Sequence, residues 1–148
     1  MVIPVEVELK ALVRQGRQFV WSTPKCCPRC RDSRVWGHGF VTAYFDGIHG
    51  AVYLKRFRCP ECRCVMRLRP RGFFRRFQAS IATIYDCLRC KLQGGRYEAG
   101  ISRSRQRHWI LALQRQVAAY LGEGLRGRLL EGFERLWAQG RVPVAGSV

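Results

Sequence analysis

The sequence predicts an α+β fold, and three observations carry that prediction. Eight cysteines fall in a chain of 148 residues, six of them in C-x-x-C pairs. Two of those pairs bracket β-branched and aromatic runs separated by a glycine-containing turn. From about residue 78 onward the apolar residues recur instead at helical spacing. The first half therefore reads as strands and the second as a small helical module.

In chain order, residues 1–24 form a lead-in, with a short helix and a strand between Val5 and Val20. The cysteines follow, at 26, 27, 30, 59, 62, 64, 87 and 90. No basic segment followed by an apolar stretch opens the chain, so thiolates holding a metal are a stronger reading than disulfides. Cys27-Pro-Arg-Cys30 and Cys59-Pro-Glu-Cys62 share the form C-P-x-C and supply four sulfurs, the closed tetrahedral set of a structural Zn²⁺. Four thiolates also suit iron. The 28 residues between the pairs hold the runs 37–45 and 51–58 around a turn at 46–50, a long β-hairpin with a metal knuckle at its base. Residues 25–66 are thus expected to form a zinc ribbon. Cys26 and Cys64 could each replace a neighbouring ligand, and the repeated C-P-x-C frame favours Cys27, Cys30, Cys59 and Cys62. His38 and His49 are read as hairpin residues rather than ligands. Cys87 and Cys90 sit on a helical pattern, where core packing competes with a metal site completed by His108 or by Cys26 and Cys64.

Charge narrows the function. Lys and Arg number 27 against 10 Asp and Glu, a net +17, and lysine stands only at 10, 25, 55 and 91. Such a surplus calls for a polyanion, and arginine's fork suits phosphate and the guanine edge. With 47% apolar residues the chain can build a core, so it is not a disordered basic tail. No run approaches the ~18 uncharged apolar residues of a membrane span, which points to a cytoplasmic, nucleoid-associated protein.

Residues 67–77 interleave arginine with phenylalanine and read as a basic linker, with Arg67, Arg69, Arg71, Arg75 and Arg76 available to phosphates. Residues 78–120 read as a helix-turn-helix-like module: one helix near 78–92, a stop at Gly94-Gly95, then Ser102 capping a second helix. On that helix Trp109, Ile110, Leu113 and Val117 make the apolar stripe. Arg103, Arg105, Gln106 and Arg107 cluster at the N-terminal end, where a recognition helix presents side chains to bases. Residues 121–148 form a C-terminal helix and tail, which either covers the core or pairs with a second copy as a homodimer.

This order of C-P-x-C knuckles, hairpin, Pro-containing basic linker and Ser102–Trp109 helix resembles the small zinc-ribbon and helix-turn-helix proteins of bacterial insertion sequences. The resemblance implies one structural zinc on Cys27, Cys30, Cys59 and Cys62, and base or phosphate contacts from Arg103, Arg105, Gln106 and Arg107. It also implies double-stranded DNA at a mobile element as the target, with a separate transposase chain as catalytic partner. Two departures stand out: only residues 96–99 lie between Gly95 and Gly100, where a full helix is usual, and Arg63 follows Cys62 where a glycine is common. Catalysis by the chain itself is not expected. Its carboxylates are few and scattered, and a metal closed by four cysteines leaves no open position. A structural RNA-binding protein and a protein-interaction adaptor are the alternatives.

Overall fold

The computed structural model describes residues 1–146; residues 147 and 148 of the expected C-terminal tail lie outside the described part. The chain divides into two compact units, Met1–Ser80 and a second that begins at Ile81.

The first unit is a four-stranded sheet. β1 (Val2–Val5) precedes a short helix α1 (Leu9–Gln15), and β2 (Trp36–Ala43), β3 (Val52–Arg58) and β4 (Val65–Pro70) follow. The order across the sheet is β1-β4-β3-β2, with β1 parallel to β4 and the other pairs antiparallel. The hairpin expected from the sequence is β2–β3, paired from Trp36 with Arg58 to Ala43 with Val52. Its register shifts between Gly37 and Phe40, where Gly39 takes φ 70, a bulge that glycine admits at little cost. Leu12, Val52, Leu54, Phe57, Met66 and Leu68 make the core together with Cys27 and Cys59, so the metal-ligand candidates are rooted in the same apolar cluster as the sheet.

Two expectations change here. The first 24 residues are an integral part of the unit, and their strand comes before their helix rather than after it. Val2–Val5 finds backbone partners in β4, and Leu12 is fully buried. The basic linker is also shorter than 67–77, because Arg67 and Arg69 belong to β4. Only residues 71–80 remain as a connector, and Phe73 packs edge-on against Phe45 there.

Among the described residues the second unit has three α-helices, α2 (Ile81–Gly94), α3 (Arg103–Leu121) and α4 (Leu129–Ala138), and a 3-10 turn at Glu123–Leu125. Gly95, at φ 69, ends α2, and its N–H bonds to the Lys91 carbonyl. Ser102 caps α3 by accepting from the Arg105 N–H at 3.4 Å. Ile84, Leu88, Trp109, Leu113, Val117, Phe133 and Leu136 are buried. Helices α3 and α4 touch closely where Gly132 faces Val117; a Cβ at 132 would come within 2.5 Å of a Val117 methyl. The C-terminal segment folds back along α3, with Val144 buried and the Gln116 amide donating to the Ala145 carbonyl at 3.3 Å.

Candidate metal centre and basic surfaces

The sulfurs of Cys27, Cys30, Cys59 and Cys62 all lie within 4.8 Å of one another. Cys27–Cys62 and Cys30–Cys59 each approach to 3.5 Å. A tetrahedral ion with bonds of about 2.3 Å to sulfur needs an edge of roughly 3.8 Å, so the four fit one metal ion. Cys26 and Cys64 fall outside the cluster; the Cys64 thiol faces the Val65 carbonyl at 4.0 Å.

Each pair is built as a knuckle with its own hydrogen bonds. In the first, the Arg31 N–H donates to the Cys27 carbonyl at 2.8 Å, and the Cys30 and Arg29 N–H groups point at the Cys27 sulfur. The N–H two residues on reaches the second sulfur in both knuckles, Asp32 to Cys30 and Cys64 to Cys62. That reach needs the residue in between to turn left-handed, and Arg31 and Arg63 do so with φ 66 and 57. Arg34 links the knuckles, bonded to Asp32 at 3.0 Å and to Glu61 at 3.4 Å. The Arg34 guanidinium and its backbone N–H hold the Asp32 carboxyl below its usual range.

Metal-free, the Cys27, Cys30 and Cys62 thiols are far from equivalent. The Cys30 N–H bond, working against burial, brings Cys27 down to about 6. At Cys62 the Cys64 N–H bond lowers the value, but burial and the other three sulfurs outweigh it and push the thiol up to about 12. Cys30 also lies above its ordinary value, because burial and the Cys59 sulfur outweigh the Asp32 N–H. A bound cation displaces the protons that Cys30 and Cys62 still hold.

The other cysteines and histidines make no metal cluster among the described residues. Cys87 is buried on α2; desolvation, and then the negative charges of Glu98 and Asp86, push its thiol up to about 11.

The arginines selected from the sequence divide sharply. Arg103 and Arg107 are exposed and line an open hollow of about 420 Å³ with Tyr97, Ser104, His108 and Leu111. Arg105 is half-buried over the Trp109 ring at 5.0 Å. Gln106 corrects the expectation of a base contact, because it is 1% exposed. Its amide donates to the carbonyls of Glu98 and Ile101, both at 2.8 Å, and accepts from the Glu98 N–H at 3.0 Å. Those bonds staple the loop before α3 to its first turn and leave nothing for a base edge. Arg69 is a second correction: it is 7% exposed, bonded to the Phe77 carbonyl at 2.5 Å and stacked over Phe45. Arg71 is exposed and paired with Glu6 at 2.9 Å, and Arg75 and Arg76 are exposed on the connector. The sequence reading passed over Arg96, which lines a neighbouring hollow with Tyr97 and Arg103. Its place beside Tyr97 in the short segment before the Ser102 cap is the sequence signal for it.

No protein-family model, curated protein or solved structure matches this chain.

Proposed function

We propose that the chain is a DNA-binding protein with a structural zinc, and that duplex DNA meets the N-terminal end of α3. The observation that carries this reading is the pairing of Arg103 and Arg107 on one open face, one helical turn apart. No acidic residue stands in the first turn of α3, so the positive end of the helix adds to their charge. With Gln106 turned inward, the face is read as gripping phosphates and the guanine edge through arginine. Zinc is the natural ion for four thiolates in a closed tetrahedron, and its part is to hold the two knuckles together. The resemblance to insertion-sequence proteins makes the terminal DNA of a mobile element the first target to try, with a transposase chain as partner. The aromatic residues on which RNA stacking from the connector would rest are committed elsewhere, Phe73 to Phe45 and Phe74 to Phe77.

Selection from a random duplex pool at physiological salt tests the reading, with metal content measured on the same sample. A recovered motif, one zinc per chain, and loss of the motif in the Arg103→Gln, Arg107→Gln protein are expected. Salt-labile binding with no motif would overturn sequence-specific recognition.

A further inference from the structure

The sheet of the first unit carries an unbalanced row of arginines. Strands β2, β3 and β4 contain no Asp or Glu. In the β3–β4 register Arg56 stands directly opposite Arg67, so both side chains leave the same face. Arg58 lies two residues along β3, on that face again, and its partners on either side are Trp36 of β2 and Val65 of β4. Like charges directly opposed across strands are destabilising, and nothing in the hydrophobic pattern requires them at 56 and 67. Among the described residues no carboxylate reaches Arg56, Arg58 or Arg67; the acidic neighbour Glu61 is engaged by Arg34. The Arg56 Nε is buried with no partner, and the same holds for the Nε of Arg69, the next member of the row along β4. Burial and the charge of Arg67 both act against the Arg69 guanidinium.

The end of this row nearest the knuckles is open. Trp36 is 63% exposed and Val65 37%, and Arg58 is exposed beside them. A large aromatic left in solvent next to arginines with no counter-ions is the pairing that single strands use: charge for the backbone, a ring face for an unstacked base. Duplex DNA offers no free base face to Trp36, whereas a single strand does.

We propose that the face of β2–β4 bearing Trp36, Arg56, Arg58 and Arg67 binds a single strand of nucleic acid, its phosphates on the arginines and a base on Trp36. The inference rests on the reading of the chain as a nucleic-acid binder and adds a second surface to the duplex face of α3. The phosphate and stacking chemistry is common to single-stranded DNA and RNA.

The test uses the full-length zinc-loaded protein with thymidine and uridine homopolymers of about 20 nucleotides, and a mixed-sequence duplex of similar length. Binding is read by fluorescence anisotropy over a salt series. Trp36→Ala is expected to weaken single-strand binding about tenfold with duplex affinity unchanged. Arg58→Gln and Arg67→Gln are each expected to make the salt slope shallower by about 0.7 on single strands. Arg67→Gln should also raise the thermal midpoint of the nucleic-acid-free protein, because it removes the opposed pair; a merely structural arginine would lower it. Whichever homopolymer binds tighter identifies the polymer. Wild-type affinity for both homopolymers in Trp36→Ala and Arg58→Gln overturns the sheet surface, and so does a lowered midpoint in Arg67→Gln. Loss of single-strand binding in Arg103→Gln, Arg107→Gln alone also overturns it while sparing the duplex reading. A wild-type chain that binds neither polymer overturns both.

Discussion

Arg31 and Arg63 occupy matching positions, one residue past the second cysteine of each knuckle, and both hold positive φ, 66 and 57. The left-handed conformation costs an ordinary residue about 1 kcal/mol or more, and glycine escapes that cost. Arg63→Gly is therefore expected to keep the metal stoichiometry and to hold or raise stability by up to about 1 kcal/mol. Arg63→Val should lose about 1–2 kcal/mol, because a β-branched residue tolerates positive φ poorly. Chemical denaturation of the zinc-loaded proteins, with metal content checked, measures both.

Metal removal should act on one unit far more than the other. Cys27 and Cys59 are fully buried within the sheet's own core, whereas the helices from Ile81 onward contain none of the four ligands. A strong chelator, or Cys59→Ser, should abolish the cooperative unfolding of the sheet while the far-ultraviolet helical signal survives. Complete loss of that signal would contradict this.

Metal uptake should release protons. The Cys27 thiol, down to about 6, is already largely ionised at neutral pH, but Cys30 and Cys62 lie above their ordinary value and arrive protonated. Calorimetry in buffers of different ionisation heat should find about two or more protons released per ion near pH 7. Affinity should fall as the pH is lowered, because protons compete for the same sulfurs.

Cys87 gives a pH effect at the alkaline end. Its thiol is raised from 9.0 to about 11, so between those values the folded chain keeps a proton that the unfolded chain has lost. Stability from this group is complete below pH 9 and declines as the pH rises toward 11. Thiol alkylation should accordingly be slow at Cys87 until the helices open, and faster at half-buried Cys90. Equal rates in the native protein would argue against this.

Gln106 and Gly132 are tests of packing. Gln106→Ala strands the Glu98 N–H and two carbonyls, at a cost of about 1–3 kcal/mol, and should leave any DNA sequence preference intact. A Cβ at Gly132 would press on Val117, so Gly132→Ala is expected to destabilise by about 1–3 kcal/mol, with partial recovery in the Gly132→Ala, Val117→Ala double variant. Thermal denaturation measures both effects.

Local signals were the ones the sequence made readable. The C-P-x-C repeat points to the four sulfurs that cluster, and β-branched and aromatic runs around a glycine-containing turn point to the β2–β3 hairpin. Ser102 and Gly95 marked the helix ends because caps and stops depend on neighbouring residues alone. What escaped was set by partners far along the chain. Val2–Val5 becomes a strand only because β4 lies beside it, and that pairing also draws Arg67 and Arg69 out of the supposed linker. Gln106 looked like a base reader because its helical position was legible, whereas the loop it staples was not.

The parallel pairing of β1 with β4 has a consequence for the order in which the chain is made. Strand β1 has no partner until Val65–Pro70 exists, whereas all four sulfurs are present once Cys62 is in place. A nascent chain can therefore take up its ion on the hairpin while Val2–Val5 is still unpaired, and completing the sheet becomes the slower, non-local closure that follows.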